Sequence, residues 1–118
     1  MDNTNHFQAK YDSAKRSIQE VQNTSQAGLF IKLFNKMNEK AIECMSSTRD
    51  EPETALEYLK KVNDTLDKIE TGKNNPLENQ IDPNYKMTLY YNIATCYQRL
   101  GMLEECVDFL EMATKSLN

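Results

Sequence analysis

Apolar residues recur at helical spacing along most of the 118-residue chain. Near the N-terminus they lie 4, 3, 4 and 3 positions apart, which predicts a helix within residues 1–24 with one narrow apolar stripe. The stripe consists of Phe7, Tyr11, Ala14, Ile18 and Val21. It suits packing against a neighbouring helix of the same chain, which we favour because it spans only about two heptads, or a short coiled-coil seam with another chain.

Two further helices are predicted over about 27–46 and 52–71. The first has a wide apolar face made of Leu29, Phe30, Leu33, Phe34, Met37, Ala41, Cys44 and Met45. The second has Ala55, Leu56, Leu59, Val62, Leu66 and Ile69 on one side. Asp50, Pro52 and Glu53 predict the start of this second helix, with Asp50 as the N-cap and Glu53 completing a capping box.

The polar segment 72–84 predicts a linker. Beyond it the apolar spacing predicts helices over about 83–100 and 103–117, separated only by Gly101 and Met102. So short a turn forces an antiparallel helical hairpin. Because no segment alternates with a period of two, we expect no sheet. The pattern therefore predicts a single all-α domain over 1–118 with about five helices.

Large and small side chains are spaced in a particular order within residues 87–118. These positions are Tyr90, Ile93, Ala94, Tyr97, Cys106, Leu110 and Ala113, with Gly101 at the turn between the two helices. The segment resembles a tetratricopeptide repeat (TPR), which has a period of about 34 residues. Cys106 departs from the usual Ala, and Asn118 stands where Pro often ends the repeat. A second, degenerate repeat is predicted over 27–71.

The degenerate repeat has an unusual spacing. Ala55, Leu59 and Val62 repeat the pattern of the better hairpin, but Ala55 lies 51 positions before Cys106. This distance exceeds the standard period of about 34 residues. The resemblance implies a short right-handed superhelix of stacked antiparallel hairpins, with residues 1–24 as an N-terminal cap. No capping helix is predicted after Leu117, so we expect an apolar face at that end that is either exposed, covered by a partner, or covered by a further part of a longer protein.

The resemblance also implies a function. In the TPR family the first helices of successive repeats line a groove that takes a peptide or helix from a partner protein. Transferred to the better repeat, this role falls to Thr88, Tyr91, Asn92, Thr95, Gln98 and Arg99. Asn92 holds the place where repeats that clamp a C-terminal carboxylate often carry Asn, although the other clamp residues are not found. The leading hypothesis is therefore an adaptor or scaffold that binds through the groove or through exposed terminal faces.

Two other surfaces add hypotheses. Lys32, Lys36 and Lys40 lie four apart and form either a solvated face or a docking strip for an acidic partner. The N-terminal stripe and the last helix suggest an alternative function, a structural subunit that homo-oligomerises or stacks in a larger assembly.

Composition narrows the classes of partner. The net charge of −4 divides into +2 over residues 1–49, from 7 basic and 5 acidic groups, and −6 over residues 50–118, from 7 basic and 13 acidic groups. An acidic C-terminal half argues against nucleic-acid binding. No apolar run approaches the ~18 residues of a membrane span, and residues 1–10 lack the apolar core of a signal peptide. Three widely spaced cysteines fit a reducing compartment, so we expect a cytoplasmic protein, and the frequent Asn and Lys suggest a eukaryotic source.

Candidate chemistry is scarce in the sequence. His6 is the single histidine, which leaves no Ser-His or Cys-His pair of the usual kind. Cys96 and Cys106 occupy packed repeat positions and no Cys-x-x-Cys occurs, so we expect no metal site. No Gly-rich phosphate loop is present. We therefore expect a protein that binds another protein, needs no cofactor and is not an enzyme.

Overall fold

The computed structural model describes residues 26–72 and 81–117, and these ranges form four α-helices without a strand. They are α1 (Gln26–Cys44), α2 (Pro52–Thr71), α3 (Pro83–Arg99) and α4 (Leu103–Lys115). The all-helical prediction is confirmed for this part of the chain. The helix predicted within residues 1–24, with its stripe from Phe7 to Val21, lies outside the described residues. Most of the predicted linker does so as well.

The four helices form two hairpins that pack on each other. α1 packs along α2, α3 packs along α4, and α2 joins the hairpins by packing on α3. Two contacts give the direction of the central pair: Lys86 of α3 forms a salt bridge with Glu70 of α2, and Lys60 lies 5.9 Å from the ring centre of Tyr97. Since the α3 numbers rise while the α2 numbers fall, α2 and α3 run antiparallel.

α1 and α3 run in the same direction. Asn38 contacts Asn92, and Met45 contacts Arg99, so each pair is 54 positions apart. At the other end the rings of Phe34 and Tyr85 meet edge to face, with centroids 5.4 Å apart. A nearly constant offset along two helices requires them to be parallel.

The core lies between the helices and is built from the apolar stripes that the sequence predicts. Its largest fully buried side chains include Phe30 of α1, Leu59 and Leu66 of α2, and Leu89 and Ile93 of α3. Ile81, just before α3, is also buried. In the second hairpin the ring of Phe109 lies against Tyr90 and Tyr97, at centroid distances of 6.1 and 5.7 Å.

The turn between α1 and α2 corrects one expectation. Asp50 is not the N-cap of α2: it has a left-handed φ of 47°, and its N–H donates to the Ser46 carbonyl over 2.8 Å. Asp is among the few residues that tolerate this conformation. Glu51 is the N-cap, but its side chain makes no capping bond, so the predicted capping box does not form. Pro52 does open the helix, as expected.

The turn between α3 and α4 follows the sequence more closely. Gly101 has a φ of 75°, which favours glycine. The N–H of Met102 then donates to the Tyr97 carbonyl over 2.9 Å, closing the end of α3. α3 starts on Asp82, whose side chain accepts from the N–H of Asn84. These local bonds hold the second hairpin in its antiparallel form.

Candidate functional site: the groove between α1 and α3

A groove of about 330 Å³ runs between the parallel helices α1 and α3. One wall has spacings of 3, 1 and 3 and consists of Asn38, Ala41 and Ile42 of α1 with Met45, which directly follows that helix. Four α3 residues with the same spacings line the other wall: Asn92, Thr95, Cys96 and Arg99. Ser46 and the buried Leu59 of α2 complete the lining. Both walls therefore consist of one face of a helix, seen over two turns.

Two side-chain amides join the walls. The Asn92 Nδ2 donates to the Asn38 Oδ1 over 2.6 Å, and both residues are half-buried. This bond leaves the NH₂ group of Asn38 and the carbonyl oxygen of Asn92 without a protein partner among the described residues. This free donor and this free acceptor lie side by side, so they can pair with the C=O and the N–H of a peptide backbone.

Arg99 fixes the other end of the groove. Its Nη1 donates to the Met45 carbonyl over 2.7 Å and lies 3.5 Å from the Asp50 Oδ1. The carbonyl belongs to the last turn of helical backbone after α1, where a cationic donor is favourable. The side chain thus ties α3 to the α1–α2 turn while its exposed part remains at the rim.

The floor is apolar and rich in sulfur. The Cys96 Sγ lies 4.0 Å from the Met45 Sδ, and only 1% of Cys96 is exposed. Burial raises the pKa of the Cys96 thiol to about 11, against the opposing influence of Arg99. The thiol is therefore protonated near neutral pH and serves as apolar lining, not as a nucleophile.

Three of the six groove residues expected from the resemblance line this groove: Asn92, Thr95 and Arg99. Thr88 lies one turn before Asn92 and outside the lining, with its Oγ1 donating to the Asn84 carbonyl of its own helix. Tyr91 and Gln98 are exposed and do not line it. Each directly precedes a wall residue, Asn92 or Arg99, and therefore lies about 100° around α3 from it.

The lysine strip lies elsewhere. Lys32, Lys36 and Lys40 are exposed and do not line the groove. Lys36 precedes Asn38 by two positions, about 200° around the helix, so the strip occupies the opposite side of α1. Lys40 lies 5.6 Å from the ring centre of Tyr58. The structure therefore does not bring the lysine strip and the expected α3 residues together.

Sequence reasoning missed the α1 wall as a binding surface. Ile42 is 59% exposed and does not belong to the predicted apolar face, whereas Ala41 and Met45 do. The available signal was the matching set of spacings at 38, 41, 42, 45 and 92, 95, 96, 99. An apolar residue just off the core stripe, flanked by Asn38 one turn earlier, also pointed to a surface role.

A second unusual surface consists of the outer face of α4 and of Leu117, two positions beyond the end of that helix. Leu103, Val107, Leu110 and Leu117 are 64, 52, 40 and 56% exposed. Together with Thr114 they form what we name the α4 stripe, with spacings of 4, 3, 4 and 3. Leu110 is one of the positions on which the TPR resemblance rests, where a large side chain would fill the gap between the last two helices, but it is exposed. Phe109 fills that gap instead.

The first hairpin shows what the α4 stripe lacks. Shifted back by 51 positions, Val107, Leu110 and Leu117 correspond to Leu56, Leu59 and Leu66, which are only 7, 1 and 0% exposed. Leu66 lies one turn before Glu70 and Leu56 one turn before Lys60, and both Glu70 and Lys60 contact α3. The corresponding face of α4 is thus the one that α3 covers on α2, and among the described residues nothing covers it.

Other kinds of site were sought in the same ranges. Within residues 26–72 and 81–117 no three His, Cys, Asp or Glu side chains are grouped so as to hold a metal ion. None of the four helices is both long and apolar enough to span a membrane.

Comparison with known proteins identified no relative of this chain. No protein-family model, curated protein or solved structure matches the chain. The resemblance to the TPR family, with its right-handed superhelix, stays a prediction from the residues.

Proposed function

We propose that this chain is a non-catalytic protein-interaction module whose α1–α3 groove binds a short extended segment of a partner protein. The observation that carries the proposal is the paired amide groups of Asn38 and Asn92 above an apolar floor. A backbone that lies along the groove would meet a donor and an acceptor, and an apolar side chain would enter between Ile42 and Met45. The resemblance to TPR repeats, whose first helices line a peptide groove, supports the same reading.

The size of the groove favours an extended peptide over a helix. Its volume of about 330 Å³ lies at the small end of the range for ligand sites, about 300–1,000 Å³. Such a space holds one or two apolar side chains, whereas a helix is about 10 Å across with its side chains. We therefore expect ligands with one large apolar anchor and specificity from the flanking backbone bonds.

The test is selection of peptides from a displayed random library on the full chain, followed by binding measurements with each selected peptide. Ile42→Asp places a charge at the rim of the groove, at a site so exposed that the fold should tolerate it. We expect this change to weaken binding about 10-fold or more. Leu29→Asp is the matched control, because Leu29 is a 44% exposed apolar residue of the same helix outside the groove.

Two results would overturn the proposal. One is a selection that enriches no peptide over a chain unfolded by urea. The other is a set of enriched peptides whose affinity is the same for the wild type, Ile42→Asp and Asn92→Ala.

A second candidate function is a structural subunit that associates with copies of itself through its terminal faces. The exposed α4 stripe favours it, because its counterpart on α2 is buried by a packed helix. This function uses a surface separate from the groove.

A further inference from the structure

We infer that the α4 stripe is a docking site for residues 7–21 of a second copy of this chain. The inference names the occupant for the second candidate function above and rests on that function, not on groove binding. It combines the unpartnered face of α4 with a segment of the same sequence whose apolar pattern matches it.

The apolar spacings of the two surfaces are the same. The α4 stripe runs over residues 103–117 with spacings of 4, 3, 4 and 3, and the N-terminal stripe runs over residues 7–21 with the same spacings. Two helices that carry such stripes over equal lengths can interdigitate their side chains as in a coiled coil. The bulky Phe7 and Tyr11 suit a partner surface of Leu and Val side chains with one small Thr114.

The borders of the two stripes carry opposite charge. Along α4, Glu104 and Glu111 each directly follow an apolar stripe residue, and both are exposed. With the stripe residues at heptad positions a and d, Glu104 and Glu111 fall at e positions. In the same heptad, residues 7–21 carry Lys10 and Lys15 at e and g positions, together with the uncharged Gln8, Ser17 and Gln22. Such border positions set partner choice and orientation when helices pair.

The α2–α3 pair supplies the geometry. There α3 runs antiparallel to α2, on which Leu56, Leu59 and Leu66 are buried. In an antiparallel pair of helices, heptad e positions face e positions. This arrangement places Glu104 and Glu111 of α4 on the same side as Lys15. We therefore expect the docked segment to run antiparallel to α4.

The described helices of a second copy do not fit as well. Two α4 stripes packed antiparallel would oppose Glu104 and Glu111 of one copy with the same residues of the other. The exposed side of α1 presents lysines instead of an apolar stripe.

The tether argues against docking within one chain. Only residues 22–25 separate the N-terminal stripe from α1, and they extend over at most about 18 Å. α1 and α4 lie on different sides of α3, two helix spacings of about 8–10 Å each. Residues 22–25 are therefore too short to let the segment reach the outer face of α4 in the same chain. A second copy is the better donor.

Head-to-tail docking makes a distinctive prediction about mass. Each copy has one donor segment and one acceptor stripe, so the contact is heterologous and the assembly stays open or closes into a ring. In sedimentation velocity from about 10 μM to about 1 mM we expect the mean mass of the full chain to rise with concentration.

Two variants separate donor from acceptor. Leu110→Glu should disable the acceptor, and Ile18→Glu the donor, each weakening self-association about 30-fold or more. A mixture of the two variants should form a 1:1 heterodimer that grows no further. Met112→Glu is the control, because Met112 is 38% exposed and lies on a different side of α4. Lys15→Glu should weaken assembly, and combining it with Glu111→Lys should restore it.

The outcomes distinguish this inference from its rivals. If Ile18→Glu still assembles while Leu110→Glu does not, two α4 stripes pair with each other, and the inference is wrong although self-association stands. If both variants are monomeric and so is the wild type, the second candidate function fails as well. If both lower the thermal midpoint of a monomer, the segment docks within its own chain, and the inference is again wrong. Retained helical circular dichroism in each variant shows that the fold is intact.

Discussion

The hydrogen bond between Asn38 and Asn92 offers the sharpest test of the groove. It joins residues 54 positions apart, and it connects the two hairpins beside the contact between α2 and α3. Because the two amides bond to each other, replacing either Asn38 or Asn92 removes the same hydrogen bond. The effects of Asn38→Ala and Asn92→Ala on the free energy of unfolding should therefore not add.

The expected size follows from the geometry. The Asn92 Nδ2 and the Asn38 Oδ1 lie 2.6 Å apart, and a hydrogen bond between two neutral amides contributes about 1 kcal/mol net. Because both residues are only half-buried, an amide left alone can recover contact with water, which limits the additional penalty. We expect each single variant to lose about 1 kcal/mol and the double variant about 1–1.5 kcal/mol, so the coupling energy is about 0.5–1 kcal/mol.

The assay is urea unfolding of the four proteins followed by far-ultraviolet circular dichroism. Coincidence with tyrosine fluorescence checks that unfolding is two-state. The matched control is a second cycle with Asn38→Ala and Thr88→Ala, because the Thr88 hydroxyl bonds only within α3. A coupling energy below about 0.3 kcal/mol for Asn38 and Asn92, equal to that of the control cycle, would refute a groove closed by this bond.

Two further predictions concern stability. Leu59→Ala should lower the free energy of unfolding, measured with urea, by about 2–5 kcal/mol because Leu59 is 1% exposed. Leu110→Ala, at the corresponding position of α4, should lower it by under about 1 kcal/mol at concentrations where the chain is monomeric. Equal losses for the two variants would contradict the difference between the two faces. Burial, aided by Glu70 and Asp67, raises the pKa of Tyr90 from 10.0 to about 12. Since the neutral phenol is favoured in the folded chain, its contribution is present below pH 10 and lost as the pH rises from about 10 to about 12. Tyr90→Phe should therefore show a smaller fall in the urea midpoint over that window, and an unchanged fall would show that Tyr90 does not titrate there.

The helices were predictable because their causes are local. The period of the apolar residues locates α1 to α4 to within about two residues at their ends. Pro52, Pro83 and Gly101 mark boundaries through backbone restrictions that hold in any fold. Asp50 was misassigned because its left-handed conformation arises from the closing bonds of the α1–α2 turn, and such bonds leave no separate trace in the sequence.

The groove was predictable only in part, because it depends on two helices far apart in the chain. Asn92, Thr95 and Arg99 could be named from the resemblance of a single helix to the first helix of a TPR repeat. Asn38 and Ile42 become wall residues only once the offset of 54 positions between α1 and α3 is known. Spacing within a helix cannot supply that offset, since it depends on the lengths of α2 and of the segment before α3. The exposure of Leu110 escaped prediction for a related reason: a motif indicates which face is apolar, not whether a neighbour covers it.

The arrangement of α3 makes the two proposed surfaces independent. Asn92 and Arg99, seven positions apart, line the groove, while Tyr90 and Tyr97, also seven apart, contact Phe109 of α4. The two pairs are offset by two positions, about 200° around the helix, so α4 lies on the opposite side of α3 from the groove. A peptide in the groove would therefore not collide with a segment docked on the outer face of α4. If both proposals hold, the chain could bind a partner while it is joined to another copy, which is the property that a scaffold requires.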